Sequence, residues 1–279
     1  MSINNENENP LGYKNEGKLL VGFAIPCIIS MLVTALYNIV DQIFIGQGIG
    51  MLGNAATNIA FPLSTTCTAI SLLLGIGCAT NYSLHLGAGE KKESEKYAGN
   101  GIILMAIMGI FLFLITTIFL TPMLKFFGAT PDVLPYAEAY TRITAIGFPF
   151  LIANTGMSKL ILADGSPNYS MTSMLIGAIV NTILDPVFIF VFKMGMTGAA
   201  LATFLGLLLS FVMGVVYFVT HPNFLHFTFH GLSIKEAFHS MVNGTSEFVN
   251  QLAIAITTVI FNRSALLFAG EDGVAAVSI

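Results

Sequence analysis

Long runs of apolar residues, separated by short polar segments, dominate the chain. Seven such runs can be followed, at about 19–45, 59–84, 97–120, 136–162, 169–192, 198–219 and 237–261. An eighth run begins near Val274. A helix of about 20 apolar residues is long enough to cross the ~30 Å hydrocarbon core of a bilayer. The pattern therefore predicts an all-α, polytopic bundle of membrane-spanning helices.

Transmembrane β-strands are the alternative, but they need only ~10 residues and alternate between apolar and polar positions. The runs here are longer and do not alternate. The composition agrees with helices in lipid, because 55% of the residues are apolar, 9% are charged, and the mean hydropathy is +0.81. A soluble chain carries about 25% charged residues. The formal net charge of -4 gives no indication of nucleic-acid binding.

The positions of the lysines predict the orientation. Residues 1–18 are polar and lack the basic, apolar and cleavage regions of a secretory signal peptide, so we expect a cytoplasmic tail. With the N-terminus inside, Lys91, Lys92 and Lys96 fall on the cytoplasmic side, where basic residues are enriched. We therefore expect a multi-pass protein of the plasma membrane with a cytoplasmic N-terminus.

Two short segments of the chain resemble each other. A shift of 220 positions places residues 50–59 on residues 270–279 and aligns Gly50 with Gly270. Five residues of the first segment are identical to the residues 220 positions later: Gly50, Gly53, Ala55, Ala56 and Ile59. A repeat unit of six helices is even in number, so both copies enter the membrane from the same side, as parallel repeats do in some transporters.

This repeat predicts the domain organisation. The expected parts are a cytoplasmic tail at 1–18, a six-helix lobe at 19–220, a cytoplasmic linker at 221–235 and the start of a second lobe at 236–279. We expect the chain to hold one lobe and only the beginning of another.

Three acidic residues lie well inside apolar runs: Asp41, Asp185 and Glu247. A carboxylate in hydrocarbon is unfavourable unless it is paired, hydrated or protonated, and none of the three has an evident basic partner in its own run. Such acids are typical of proton relays. With neutral oxygen ligands they also suit hard cations such as Na⁺. The alternative is a structural polar contact between helices.

Other polar residues accompany these acids. Asn181 lies one turn before Asp185 on the same helix face. Pro186 removes a backbone donor beside Asp185, and Pro26 is expected to kink the first run about four turns before Asp41. Further polar side chains inside the runs are Thr203, Tyr140 and Asn154.

At these residues the chain resembles the multidrug and toxic compound extrusion (MATE) transporter family. The similar segments are 37–46 around Asp41, 86–90, 162–167, 181–190 around Asp185, 198–203, and 246–247 together with 270–276. The resemblance implies twelve helices in two lobes and alternating access. It also implies export of cationic or amphipathic compounds in exchange for Na⁺ or protons.

The resemblance also implies which residues act. It assigns the coupling cation, Na⁺ or a proton, to Asp41, Asn181, Asp185 and Thr203. It assigns a supporting network to Tyr140, Asn154, a backbone oxygen near Ala199, and Glu247. We expect the first helix to repack about Pro26 when the cation binds. Apart from the cation we expect no cofactor, and apart from organic cations or amphipathic drugs and the bilayer we infer no obligate partner.

Two other classes of function remain. A lipid or lipid-linked saccharide flippase is expected to place cationic residues in its cavity to hold phosphate, and Arg142, within the fourth run, is the candidate for that role. An intramembrane aspartyl protease needs a Gly-x-Gly-Asp type motif, which neither Asp41 nor Asp185 has. No nucleophile–base constellation is evident in the sequence, so we do not expect an enzyme.

Overall fold

The computed structural model of the chain describes residues 15–220 and 233–277, and in these ranges the secondary structure is helical, with no strand. The helices are α1 (Glu16–Gly48), α2 (Met51–Gly87), α3 (Lys91–Ile118), α4 (Leu120–Phe127), α5 (Leu134–Ile146), α6 (Phe148–Ala163), α7 (Pro167–Pro186), α8 (Met196–Thr220) and α9 (Ile234–Val277). A π-helical turn, Val187–Val191, continues α7.

The helices match the apolar runs of the sequence. Within the described ranges, α1, α2, α3, α7 with its π-helical turn, α8 and α9 are each long and apolar enough to cross a bilayer. Helices α5 and α6 together form a seventh candidate span. The prediction of a polytopic all-α membrane protein is confirmed.

The fourth run is bent, whereas its pattern predicted one continuous helix. The axes of α5 and α6 differ by 53°. The break falls at Gly147, just before Pro149 in the first turn of α6. Proline has no backbone N–H to donate to the preceding turn, and glycine tolerates the change of direction, so the α-helical hydrogen bonding is interrupted here.

Two segments expected to be loops are helical. The polar segment 85–96, between the second and third apolar runs, was expected to be a loop. Most of its charged residues instead belong to α3, which begins at Lys91. Lys125 lies in the short helix α4, which ends at Gly128 in the left-handed conformation (φ 109°), a common way to end a helix. Helix α2 also begins earlier than its apolar run, at Met51. Several helical turns are rich in charged or small residues, so the pattern of apolar runs did not predict them as helix.

Helix α2 is the most buried of the spans and packs against α9, α6 and α3. Glycines allow these close approaches. A Cβ atom on Gly75 would lie 2.7 Å from the Cα of Gly156 on α6, and one on Gly77 would lie 1.8 Å from the carbonyl oxygen of Ser240 on α9. Because small residues let backbones approach, they are enriched where membrane helices cross.

The glycines that begin the two repeated segments, Gly50 and Gly270, share an unusual backbone conformation. Gly50, just before α2, has φ 95° and ψ −169°. Gly270, which interrupts α9, has φ 64° and ψ −154°. This region is accessible essentially to glycine alone. The predicted domain division itself stays a prediction, because most of the tail (1–14) and of the linker (221–232) lies outside the described residues.

Candidate functional site

Asp41 and Asp185 lie where α1 packs against α7 and α7 packs against α8. Asp41 on α1 is 8% exposed and Asp185 on α7 is fully buried. Asp185 is the residue before Pro186, where the α-helix gives way to the π-helical turn. The break in α7 and the buried carboxyl therefore occupy the same place.

A polar network connects α7 to α8. The side-chain nitrogen of Asn181 donates to Oδ1 of Asp185 at 3.4 Å and to the hydroxyl oxygen of Thr203 at 3.5 Å. The hydroxyl of Thr203 donates to the carbonyl oxygen of Ala199 at 3.1 Å. The structure thus brings together three predicted side chains and the predicted backbone oxygen.

Asp41 joins this network from α1. Its carboxyl lies near that of Asp185, so the two acidic groups interact electrostatically between α1 and α7. Its second oxygen, Oδ2, accepts from the side-chain nitrogen of Gln42 at 3.3 Å. All four side chains assigned to the cation, Asp41, Asn181, Asp185 and Thr203, therefore lie in one cluster.

Three buried acceptor atoms of this cluster receive no hydrogen bond from any residue that the structure describes: Oδ1 of Asp41, Oδ2 of Asp185 and Oδ1 of Asn181. An unpaired buried acceptor is unfavourable, and native structures contain few of them. A carboxylate or amide oxygen that receives no hydrogen bond can coordinate a hard cation, and a carboxylate oxygen can also bind a proton. The residues present therefore fit a proton or a Na⁺ ion.

Sequence reasoning missed part of the cluster. Gln42 accepts, through Oε1, the hydroxyl of Thr57 on α2 at 3.0 Å, which extends the network to that helix. Tyr37, one turn before Asp41, lies near both carboxyls. Neutral polar residues are frequent in membrane helices, so the sequence alone gives no signal beyond their spacing from Asp41.

The predicted supporting residues separate into two groups. Tyr140 adjoins the hydroxyl of Thr203 and lies near both carboxyls. Asn154 on α6 and Glu247 on α9 are partly exposed, and in the described part of the chain neither forms a hydrogen bond with the cluster. Helix α1 continues through Pro26 without a break. The assignments of Asn154 and Glu247, and the repacking about Pro26, stay predictions.

A third buried carboxyl, that of Asp164, lies outside this cluster. Asp164, which is 1% exposed, follows the last residue of α6. Its Oδ1 accepts the hydroxyl of Tyr82 on α2 at 2.7 Å, and its Oδ2 accepts the hydroxyl of Tyr217 on α8 at 2.6 Å. The hydroxyls of Tyr217 and Ser166 also lie 2.9 Å apart, within hydrogen-bond distance. This carboxylate therefore connects the end of α6 to α2 and α8, with each of its two oxygens accepting a tyrosine hydroxyl.

Comparisons with known proteins point in one direction. The MatE family model matches residues 26–187. Multidrug export protein MepA of Staphylococcus aureus is 28% identical over 206 residues, which cover 74% of this chain and 46% of the relative. MepA of Staphylococcus haemolyticus is 26% identical over 247 residues, covering 88% and 55%. The chain spans about half the length of the curated relatives it matches.

A solved structure extends the likeness to the fold. The structure of the MATE multidrug transporter DinF-BH superposes with a TM-score of 0.92 at 29% sequence identity. The match covers 98% of this chain and 61% of the other. Nearly the whole described bundle therefore has a counterpart in that structure.

Proposed function

This chain belongs to the MATE family of membrane transporters, and from that premise we propose that it forms part of a multidrug exporter driven by Na⁺ or protons. The relatives it matches are named multidrug export proteins. By this similarity the cargo is a cationic or amphipathic organic compound. The protein then resides in the plasma membrane of a bacterium, with its N-terminus in the cytoplasm.

The observation that carries the proposal is the pair of adjoining carboxyls between α1 and α7. Two ionised carboxylates side by side in a buried site repel each other and have lost their hydration, so the pair requires a compensating cation. A proton shared by Asp41 and Asp185, or a Na⁺ ion held by their unpaired oxygens and that of Asn181, supplies it.

Cation binding at this place can influence the packing of α1. Asp41 is on α1, whereas Asp185, Asn181 and Thr203 are on α7 and α8. An uncompensated pair pushes α1 away from α7, and a bound cation draws the two helices together. The cation can shift the balance between outward-open and inward-open states only by binding one more tightly, and its coupling to the cargo must be reciprocal.

The test is ethidium efflux from cells that express the full-length gene, measured under imposed Na⁺ and proton gradients. We expect Asp41→Asn and Asp185→Asn to lower the gradient-driven rate by at least about fivefold, the lower end of typical coupling between sites. Asp132→Asn, a change at an exposed acid outside the cluster, is the matched control and should leave the rate unchanged.

The outcomes separate the two parts of the proposal. Gradient-driven efflux that survives in both cluster variants would show that the cation binds elsewhere. An intact, well-expressed wild-type protein that exports no ethidium under either gradient would contradict the exporter itself, and lipid-linked substrates would then be tried.

A further inference from the structure

A shallow groove of about 440 Å³ lies between α2 and α6, away from the carboxyl pair. One part of its lining is polar and consists of Thr80, Ser83 and Lys159. The remainder is apolar and includes Ile76, Leu84 and Leu162. Ligand-binding pockets commonly measure ~300–1,000 Å³, so the groove is large enough for a small headgroup. Its combination of one cation, two hydroxyls and apolar walls is that of a site for an amphiphile.

The polar groups of the groove have no partner in the described part of the chain. Lys159 forms no ion pair there, and neither Thr80 nor Ser83 forms a hydrogen bond. Other hydroxyls of α2 behave differently. Thr66 donates to the carbonyl oxygen of Pro62 at 2.7 Å, and Thr68 donates to that of Ser64 at 3.0 Å. Thr80, Ser83 and Lys159 are therefore free to donate to a ligand.

A buried hydrogen bond between α2 and the end of α6 fixes the shape of the groove. Tyr82 on α2 donates to Asp164 at the end of α6, so a buried hydrogen bond of 2.7 Å fixes the two walls relative to each other. Asp164 is 1% exposed, accepts from two tyrosines and does not line the groove. In the described part of the chain it forms no ion pair with Lys159. A preformed site binds with a smaller loss of conformational freedom.

We propose that this groove binds the phosphate headgroup of an anionic phospholipid from the surrounding leaflet. Lys159 pairs with the phosphate, Thr80 and Ser83 donate to its oxygens, and the acyl chains pack on Ile76, Leu84 and Leu162. Charge-assisted hydrogen bonds to phosphate are among the stronger polar contacts. The same lysine repels an organic cation, so the groove favours an anionic ligand over a cationic one.

The test uses native mass spectrometry of the full-length protein in detergent, titrated with phosphatidylglycerol, phosphatidylcholine or free glycerol 3-phosphate. We expect tighter binding of phosphatidylglycerol than of the other two. Lys159→Gln should weaken phosphatidylglycerol binding by about tenfold, and Thr80→Val combined with Ser83→Ala by about threefold, as expected for losing charged and neutral hydrogen bonds respectively. Lys159→Arg keeps the charge and should preserve binding.

Lys125→Gln is the matched control, because this exposed lysine lies on α4 and does not line the groove. Unchanged phosphatidylglycerol binding in Lys159→Gln would overturn the proposal. Equal affinity for phosphatidylcholine would remove the role of the net headgroup charge, and equal affinity for free glycerol 3-phosphate would remove that of the apolar walls. Either result would also overturn it. None of these measurements depends on ethidium efflux, so the lipid site and the exporter can fail separately.

Discussion

Among single residues, Asp164 offers a measurement of stability that is independent of transport. Its carboxylate accepts two tyrosine hydroxyls from two different helices. Asp164→Ala removes the carboxylate that both buried phenols donate to. A hydrogen bond to a charged group contributes ~1.5–3 kcal/mol, so we expect a loss of about 3 kcal/mol or more. Thermal melting of the purified full-length protein in detergent measures the loss.

Tyr82→Phe and Tyr217→Phe supply the comparison for this prediction. Each removes one donor and leaves the ring in place, so each should lower stability by less than Asp164→Ala does. Asp132→Ala, at an exposed acid, should leave the melting temperature unchanged. A wild-type melting temperature for Asp164→Ala would show that the tyrosine contacts do not stabilise the bundle.

The residues of the proposed cation site were predictable to different degrees. Asp41 and Asp185 stand out in the sequence because a carboxylate inside an apolar run is rare and unfavourable unless something compensates it. Asn181 follows from its spacing of one turn from Asp185. Gln42 and Thr57 were not predicted, since a neutral polar side chain in a membrane helix has too small an energetic penalty to mark a function.

At the scale of helices, apolar runs located the spans but not their breaks. The 53° bend between α5 and α6 and the π-helical turn after Pro186 lie inside runs that stay predominantly apolar on both sides of the break. Side chains that face lipid are apolar whether the helix is straight or bent, so hydropathy does not indicate where a helix bends. Gly147 and Pro149 were the available signals for the first break, and Pro186 was the signal for the second.

The close crossing of α2 and α9 yields a prediction about helix separation. A Cβ atom on Gly77 would lie 1.8 Å from the Ser240 oxygen, and one on Gly244 would lie 1.9 Å from the Leu73 oxygen. Either glycine-to-alanine change must therefore move the helices apart. We expect a disulfide between cysteines at positions 81 and 243 to form at least about tenfold more slowly in either variant, since that bond tolerates Cα separations only up to ~7 Å.

Several features of the chain make this cross-linking test specific. The side chains of Asn81 and Asn243 already touch, with an Nδ2–Oδ1 distance of 3.0 Å. Cys27, Cys67 and Cys78 are replaced by serine or alanine beforehand. Gly87→Ala is the control, because a Cβ atom there meets nothing within 4 Å. Wild-type cross-linking in Gly77→Ala and Gly244→Ala would contradict the close approach.

At the scale of the whole molecule, the predicted orientation can be tested from both faces of the membrane. Lys92 lies in the first turn of α3 and Asp132 lies beyond its far end, so one span separates them. In the same cysteine-free background, we expect Asp132→Cys to react with a membrane-impermeant maleimide in intact cells. Lys92→Cys should react only after permeabilisation, because basic loops remain in the cytoplasm.

Two results would contradict this arrangement in different ways. If only Lys92→Cys were labelled in intact cells, the orientation would be the reverse of the predicted one, and α3 would still be a span. Equal labelling of both variants in intact cells would mean that α3 does not cross the bilayer.

The sequence by itself determined the solvent, the class of fold and the approximate span positions, because the cost of placing polar groups in hydrocarbon acts on every residue of a span. It also singled out the buried acids for the same reason. Only the tertiary structure decided that Asp41 adjoins Asp185, that Glu247 lies apart from them, and that Asp164 joins three helices. Those facts depend on which helix faces meet, and that is set by close packing of small residues between distant parts of the chain.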